Sequence, residues 1–355
     1  MRPEKVCLIG IWILLNVSEC GSQIPFNLLR QSMKYRQLGP LPVSEIGLGC
    51  SGFWGNRQFE DRQAIRIVHE AFDLGVNLFD TGHNYCNYNA EPRLGRALAE
   101  ILKRADRSKI VVSTKVGTLR PRPLISLREV KTQDHSPEYV ELACARAIKN
   151  LNTDFIDVLY LHNFAPASIT DALLTKLASM RRNGMFRLLG INTHSEAHMQ
   201  YVARLKGVFD VALIDLNVAQ LDRLPIVDQL HKAGIAVVAG TVLAQGHLIR
   251  GKIGHIRSAA DLWYLARALL KPDARRLALA ARDVRPALAS VDGMSAAQAA
   301  MSYILGLQQV SACIFGTTNL NNLREIAAAP EKRLSEAHAA SIYAAFRQQR
   351  AFASA

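Results

Sequence analysis

Residues 61–85 read DRQAIRIVHEAFDLGVNLFDTGHNY, and this stretch decides the fold. From Asp61 to Leu74 the apolar residues recur at helical spacing, and Gly75 stands where a helix-ending glycine belongs. Val76–Thr81 is then short, largely apolar and closed by polar residues, as a buried strand would be. The same alternation runs along the chain. Strands are expected at Glu45–Gly49, Val76–Thr81, Ile110–Val116, Ile156–His162, Leu188–Asn192, Val211–Leu216, Ile235–Ala239 and Ala312–Phe315. Helices are expected over Asp61–Leu74, Glu91–Lys103, Pro137–Asn150, Asp171–Arg182, Glu196–Lys206, Pro225–Lys232, Ala296–Gly306 and Asn319–Ala329. Ser136 before Pro137 is a start signal, and Gly184 and Gly234 are stops. Eight strands, each trailed by a helix, predict an α/β protein built as a (β/α)8 TIM barrel. The rival, a doubly wound sheet, needs a GxGxxG turn that opens a helix. Gly47-Leu48-Gly49-Cys50-Ser51-Gly52 has that spelling, but it runs into Phe53-Trp54-Gly55 instead.

Composition narrows the class. The 355 residues suffice for one large domain or two, and 49% hydrophobic with 21% charged residues excludes disordered, collagen-like and polytopic membrane chains. Lys and Arg number 43 against 30 Asp and Glu, a net charge of +13 that by itself selects no partner. The basic residues are densest from Arg267 to Arg285 and lack aromatic interleaving or zinc spacing, so nucleic acid is not an expected partner. Cysteines at 7, 20, 50, 86, 144 and 313 form no CxxC pair and read as buried thiols of a reducing, cytoplasmic compartment. At the N-terminus, Arg2 and Lys5 precede an apolar run from Val6 to Val17, the order of a secretory signal but too short for a membrane span. Ser18-Glu19-Cys20 is a poor cleavage site, and the globular pattern begins just after Met33. Residues 1–32 are therefore expected to be an extension from an upstream start, with export as the alternative. The barrel is expected over 33–330, followed by a helical tail over 331–355. Two long connections, Thr118 to Ser136 and Gln245 to Ala296 with an amphipathic piece around Trp263 and Tyr264, suit lids, substrate walls or solvated inserts.

Barrel active sites gather at the carboxyl ends of the strands, and those ends are polar here. Asp80 to Tyr85 follow the second strand, Ser113-Thr114-Lys115 ends the third, and His162-Asn163 closes the fourth. A phenol, an ammonium, a carboxylate and an imidazole in one mouth suit proton transfer to a carbonyl oxygen. A tyrosine pKa near 10 is high for a proton donor at neutral pH, and an ammonium held by Asp80 is expected to lower it. His162 is expected to orient the carbonyl. Each of the four has a structural alternative as cap, packed aromatic, solvated strand end or core histidine. Their concurrence at successive strand ends favours the catalytic reading. Only His162 and Asp80 resemble ligands, so no metal centre is expected.

At these residues the sequence resembles the aldo-keto reductase superfamily, from Met33 to about Ala329. Lys34 to Gly39 and Val43 to Cys50 are similar to its N-terminal β-hairpin and first strand. Gly75 to Thr81 with Tyr85, Glu91 and Leu94-Gly95 is similar to its most characteristic motif. The resemblance implies a catalytic tetrad of Asp80, Tyr85, Lys115 and His162, with Trp54 and His162 at the substrate. It also implies NADP or NAD across the mouth, held by Gly49, Cys50, Asp80, Asn192, Thr193, Thr241, Leu243, Gly316, Thr317, Thr318, Asn322 and Glu325. Four positions depart from the family pattern. Leu213 replaces the usual Gln, Gly240 replaces the aromatic that stacks on nicotinamide, and Gly316 and Asn322 replace the Lys and Arg that often hold a 2′-phosphate. Arg324 is the one nearby substitute, with a solvated surface charge as its alternative. The implied function is NAD(P)H-dependent interconversion of small aldehydes or ketones and alcohols. The alternative is a low-turnover, nucleotide-binding regulatory subunit.

Overall fold

The computed structural model describes residues 33–119, 132–249 and 272–354. Eight parallel strands close into a barrel in chain order: β3 (Ile46–Gly49), β4 (Leu78–Asp80), β5 (Val111–Val116), β8 (Ile156–His162), β9 (Phe186–Thr193), β10 (Val211–Asp215), β11 (Ala236–Gly240) and β12 (Val310–Phe315). The antiparallel hairpin β1 (Tyr35–Leu38) and β2 (Leu41–Ser44) precedes them. A second short pair, β6 (Thr118–Leu119) with β7 (Thr132–Gln133), stands at the base of the first long connection. All eight expected barrel strands are present, and β9 and β12 each begin two residues early.

Because helices cover the barrel outside and side chains fill it inside, strands such as β8 are buried at every residue and carry no polar alternation. Leu78, Val111, Val158, Tyr160, Leu188, Leu213 and Val238 point inward. Leu38, Leu41 and Val43 of the hairpin join that cluster and close the barrel's amino end. Phe79, Val112, Leu159, Leu161 and Ile191 point outward, against the helices. Gly190 makes the inner packing possible: a Cβ there would stand 2.4 Å from the Tyr160 ring.

The helices are α1 (Asp61–Asp73), α2 (Ala90–Ile101), α3 (Pro137–Asn150), α4 (Asp171–Arg182), α5 (Glu196–Arg204), α6 (Leu224–Lys232), α7 (Pro272–Ala289), α8 (Ala296–Gly306), α9 (Leu320–Ala327) and α10 (Glu336–Ser354). Thr170 caps α4, Ser195 caps α5, and Ser295 with Gln298 forms a capping box on α8, each worth about 1 kcal/mol. The sequence reading treated α7 as part of a long connection. Pro286 inside it removes a backbone donor and interrupts the helical signal, yet the helix continues to Ala289. Trp263, Tyr264 and residues 1–32 lie outside the described residues. Ile342 and Phe346 of α10 are buried in the main core. Among the described residues no helix is long and apolar enough to cross a membrane.

Candidate active site

Strand register sets the layer at the barrel's carboxyl end. Asp80 pairs with Ser113, Lys115 with Tyr160, His162 with Asn192, and Asp215 with Gly240. Alternation on the strands below turns Asp80, Lys115, His162, Asn192 and Asp215 inward.

Lys115 Nζ donates to Asp80 Oδ2 at 2.5 Å and to the Thr81 carbonyl at 2.6 Å, and Ser113 Oγ donates to Asp80 Oδ1 at 2.7 Å. The ammonium lies 5.0 Å from the centre of the Tyr85 ring, and the His162 ring meets Tyr85 edge-on at 5.8 Å. The four tetrad residues thus converge. A turn aims the phenol. Tyr85 N donates to the Gly82 carbonyl, His83 N donates to the Lys115 carbonyl, and Cys86, Asn87 and Tyr88 all take left-handed φ values of 54°, 55° and 62°. Three consecutive non-glycine residues in that region persist only where their surroundings hold them. Glu91, 1% exposed, is one anchor: it accepts from Thr114 and Asn150 and contacts His83 at 3.4 Å.

Burial raises the Tyr85 pKa above its ordinary value of 10.0; Lys115 pulls it down, while Asp80 and Asp215 push it up again. This corrects the expectation of a lowered phenol, because desolvation outweighs the ammonium. Burial also works against the charge on Lys115, but Asp80 and Tyr85 more than compensate and hold its pKa above the ordinary value.

Trp54 is not a wall of the mouth. It is 1% exposed, its indole N–H donates to the Ala64 carbonyl, and Arg93, bonded to the Trp54 carbonyl and to Asp61, lies over its ring. The aromatic serves as a loop anchor, and its sequence position beside the first strand end could not reveal that orientation.

Across the mouth, β3 and β11 end in Gly49 and Gly240, and Gly316 follows β12. A Cβ on Gly240 would meet only ordinary contacts: the Ile214 carbonyl at 3.4 Å, Leu213 Cδ1 at 3.5 Å and Asp215 Oδ1 at 4.0 Å. One on Gly316 would come to 3.1 Å from the Gly49 carbonyl. At buried Gly49 a Cβ would stand 3.0 Å from Ile314 Cγ2, whereas at Gly240 these strand ends form a floor without side chains that a flat ring can approach. Asn192 reaches it, its Nδ2 donating to the Leu213 carbonyl at 2.9 Å. Thr193 alternates to the other face, and its hydroxyl accepts from Ser195 N, so it is not brought into the mouth as expected. Cys50 contributes backbone only, its thiol being buried and turned to the Leu48 carbonyl. Thr241 sits at φ 51° beside Asp215.

Beyond the end of β12 a separate cavity of about 230 Å³ lies between Leu243, Ser295, Phe315, Asn322 and Glu325. Ser295 Oγ donates to Glu325 Oε1 at 2.5 Å. Thr317 and Asn319 hold the turn into α9 with their own side chains, and Thr318 is exposed. Arg324 does not enter the cavity lining; its Nε donates to Glu70 on α1 at 2.7 Å. Among the described residues no group of three or more His, Cys, Asp or Glu is placed to hold a metal ion.

Sequence reasoning missed Asp215. Burial alone would raise its pKa, but His194, Arg223 and the Thr241 hydroxyl outweigh that and hold it below the usual carboxylate value. A lone carboxylate at the inward end of the apolar strand Val211–Asp215 was the available signal.

The chain is 27% identical over 311 residues to the uncharacterized oxidoreductase YqkF of Bacillus subtilis, covering 86% of this chain and 94% of that one. L-glyceraldehyde 3-phosphate reductase of Escherichia coli O157:H7 is 26% identical, with coverage of 82% and 86%. Among solved structures, the glycerol dehydrogenase AKR11B4 of Gluconobacter oxydans shares the fold, with TM-score 0.73, 20% identity and coverage of 89% and 95%. The aldo-keto reductase AKR11C1 of Bacillus halodurans in its holo form gives TM-score 0.69 at 21% identity, with coverage of 89% and 96%. The sequence model of the aldo/keto reductase family matches residues 45–346, so the chain belongs to that family of oxidoreductases, whose members generally use NAD(P)H.

Proposed function

We propose that the protein interconverts small aldehydes or ketones and their alcohols with NAD(P)(H), and that Tyr85 is its proton donor. The observation that carries this reading is the convergence of Asp80, Lys115, Tyr85 and His162 at one end of the barrel. The bound dinucleotide would supply the hydride. Asn192 and the glycine floor would receive its nicotinamide, and the cavity at Leu243, Asn322 and Glu325 its adenosine, with Gly316 and Thr317 between. The room at Gly240, where an added Cβ would meet only ordinary contacts, supports that fit.

The residues' own work follows from their geometry. A carbonyl oxygen between Tyr85 and His162 meets two donors. As negative charge develops on that oxygen, the phenol gives up its proton, and the nearby ammonium, fixed by Asp80, stabilises the phenolate. A pKa above 10.0 keeps the phenol protonated through neutral pH, which suits an acid in the reduction direction. His162 orients the carbonyl.

Gly240 supports a second reading, a nucleotide-binding subunit of low turnover, because an aromatic stack worth about 0.5–1.5 kcal/mol is missing. One experiment decides between them: oxidation of NADH and NADPH, followed at 340 nm with an activated aldehyde, in the wild type and Tyr85→Phe. Turnover that falls about 100-fold or more in the variant, with cofactor affinity kept, is the expected result. Equal turnover in both chains rejects Tyr85, and cofactor binding without turnover in the wild type favours the subunit.

A further inference from the structure

The register of the strands places the charged side chain of Asp215 against the glycine floor, opposite Gly240 on β11. Its two oxygens face different ways. Oδ2 is held from the rim by His194 Nδ1 at 2.5 Å, with Arg223 Nη1 at 4.0 Å. Oδ1 stands 4.0 Å from the place a Gly240 Cβ would occupy, on the side where the floor is open. Arg223 is committed elsewhere: it donates to the carbonyls of Asp215 and His194. His194 and Arg223 thus hold the carboxylate through Oδ2, the Thr241 hydroxyl is a further partner, and Oδ1 is the oxygen that lies near Gly240. Across the mouth, the Lys115 ammonium is spent on Asp80 at 2.5 Å. Side-chain exposure of 21% at Asp215 leaves the charge only partly screened by solvent.

We propose that Asp215 makes this mouth discriminate between the two redox forms of a nicotinamide, favouring the oxidised, cationic ring over the neutral reduced one. This rests on the cofactor reading above and deepens it. The two forms have nearly the same shape and differ by one positive charge in the ring. A fixed carboxylate beside the ring attracts that charge and is nearly indifferent to the neutral form. An aromatic side chain at 240 would instead grip both forms. The consequence is a lowered reduction potential for the bound cofactor, which draws the equilibrium within the site toward oxidised cofactor and alcohol, the direction of carbonyl reduction.

The test is the ratio of dissociation constants, reduced over oxidised, measured by calorimetry for NADH with NAD+ and for NADPH with NADP+. Asp215→Asn should lower that ratio by about fivefold or more, mainly by weakening the oxidised form, since a unit charge at contact distance is worth that much even at an interior dielectric near 20. His194→Lys, at an exposed position, sets a permanent cation against Oδ2 and should lower the ratio as well, which keeps the test alive if the Asn chain does not fold. A ratio unchanged in both variants, or an equal loss for both redox forms, overturns the proposal and leaves the cofactor reading standing. If the wild type binds none of the four nucleotides, the cofactor reading falls and takes this inference with it.

Discussion

The two halves of the barrel mouth are built by opposite means. At the ends of β4, β5 and β8 the site consists of side chains that hold one another, with Asp80, Lys115 and Ser113 in a hydrogen-bonded chain and Tyr85 and His162 leaning over it. Near the ends of β11, β12 and β3 the strands give way to Gly240, Gly316 and the buried Gly49, and what shapes the surface is backbone with the Asp215 carboxylate beside it. The first half stores its function in charges that must be paired to be buried. The second stores it in space. Loss of a partner should therefore be severe on the relay side, and gain of a side chain should be informative on the glycine side.

The largest effect is expected at Lys115. Lys115 and Asp80 are 2% and 7% exposed, so Lys115→Met strands a carboxylate in the barrel. Breaking a buried pair by removing one partner costs roughly 3–5 kcal/mol, and the proposed proton transfer through Tyr85 should fail with it. Denaturant unfolding should show the loss of stability, and absorbance at 340 nm the loss of turnover. Asp80→Asn added to Lys115→Met should restore much of the stability and none of the activity. A Lys115→Met chain as stable as the wild type would mean that the relay half is not held together by its charges.

Gly240→Tyr probes the other half and should act on binding alone. The Cβ has ordinary contacts at 3.4 Å and beyond, so the ring enters without displacing the strand. If the open floor limits cofactor affinity, the dissociation constant should fall several-fold, in keeping with a stack of about 0.5–1.5 kcal/mol. Weaker binding beside an unchanged circular dichroism spectrum would show that the space is used, by substrate or by a neighbouring loop, and that Gly240 is not a defect.

The same contrast explains what could be read in advance. The barrel strands and the polar residues that meet at their ends were legible because continuous apolar runs and polar strand ends are local signals. The hairpin was legible through resemblance to a family. Trp54 misled, since its burial depends on Arg93 some forty residues later, which reaches back to the Trp54 carbonyl. Asp215 was signalled as a lone carboxylate at the end of an apolar strand, but its facing Gly240 across a strand pair is a relation that only the register displays. The phenol's raised pKa was unreadable for a similar reason, as it depends on how deeply Tyr85 is desolvated.

The smallest expected effect lies just behind the relay, at His135. This side chain is 7% exposed and packs over Gly117, where a Cβ would fall 2.2 Å from its Nε2. Burial lowers its pKa from 6.5, against smaller opposing effects of the His162 carbonyl and Asp134. A base whose pKa is lower folded than unfolded takes up its proton more readily in the unfolded chain. Its contribution to stability is thus complete above the unfolded value of about 6.5 and is lost as the pH falls below it, by no more than about 1.4 kcal/mol per pH unit. Urea unfolding at pH 7.5 and pH 5.5 should show a steeper loss for the wild type than for His135→Gln, which has no proton to gain in that window. Because His135 backs Gly117, in the strand segment that follows Lys115, the acid loss should be accompanied by a fall in kcat before global unfolding. Parallel pH curves for the two chains would remove His135 from the supports of the relay half, which would then rest on the Asp80–Lys115 pair and the Glu91 anchor alone.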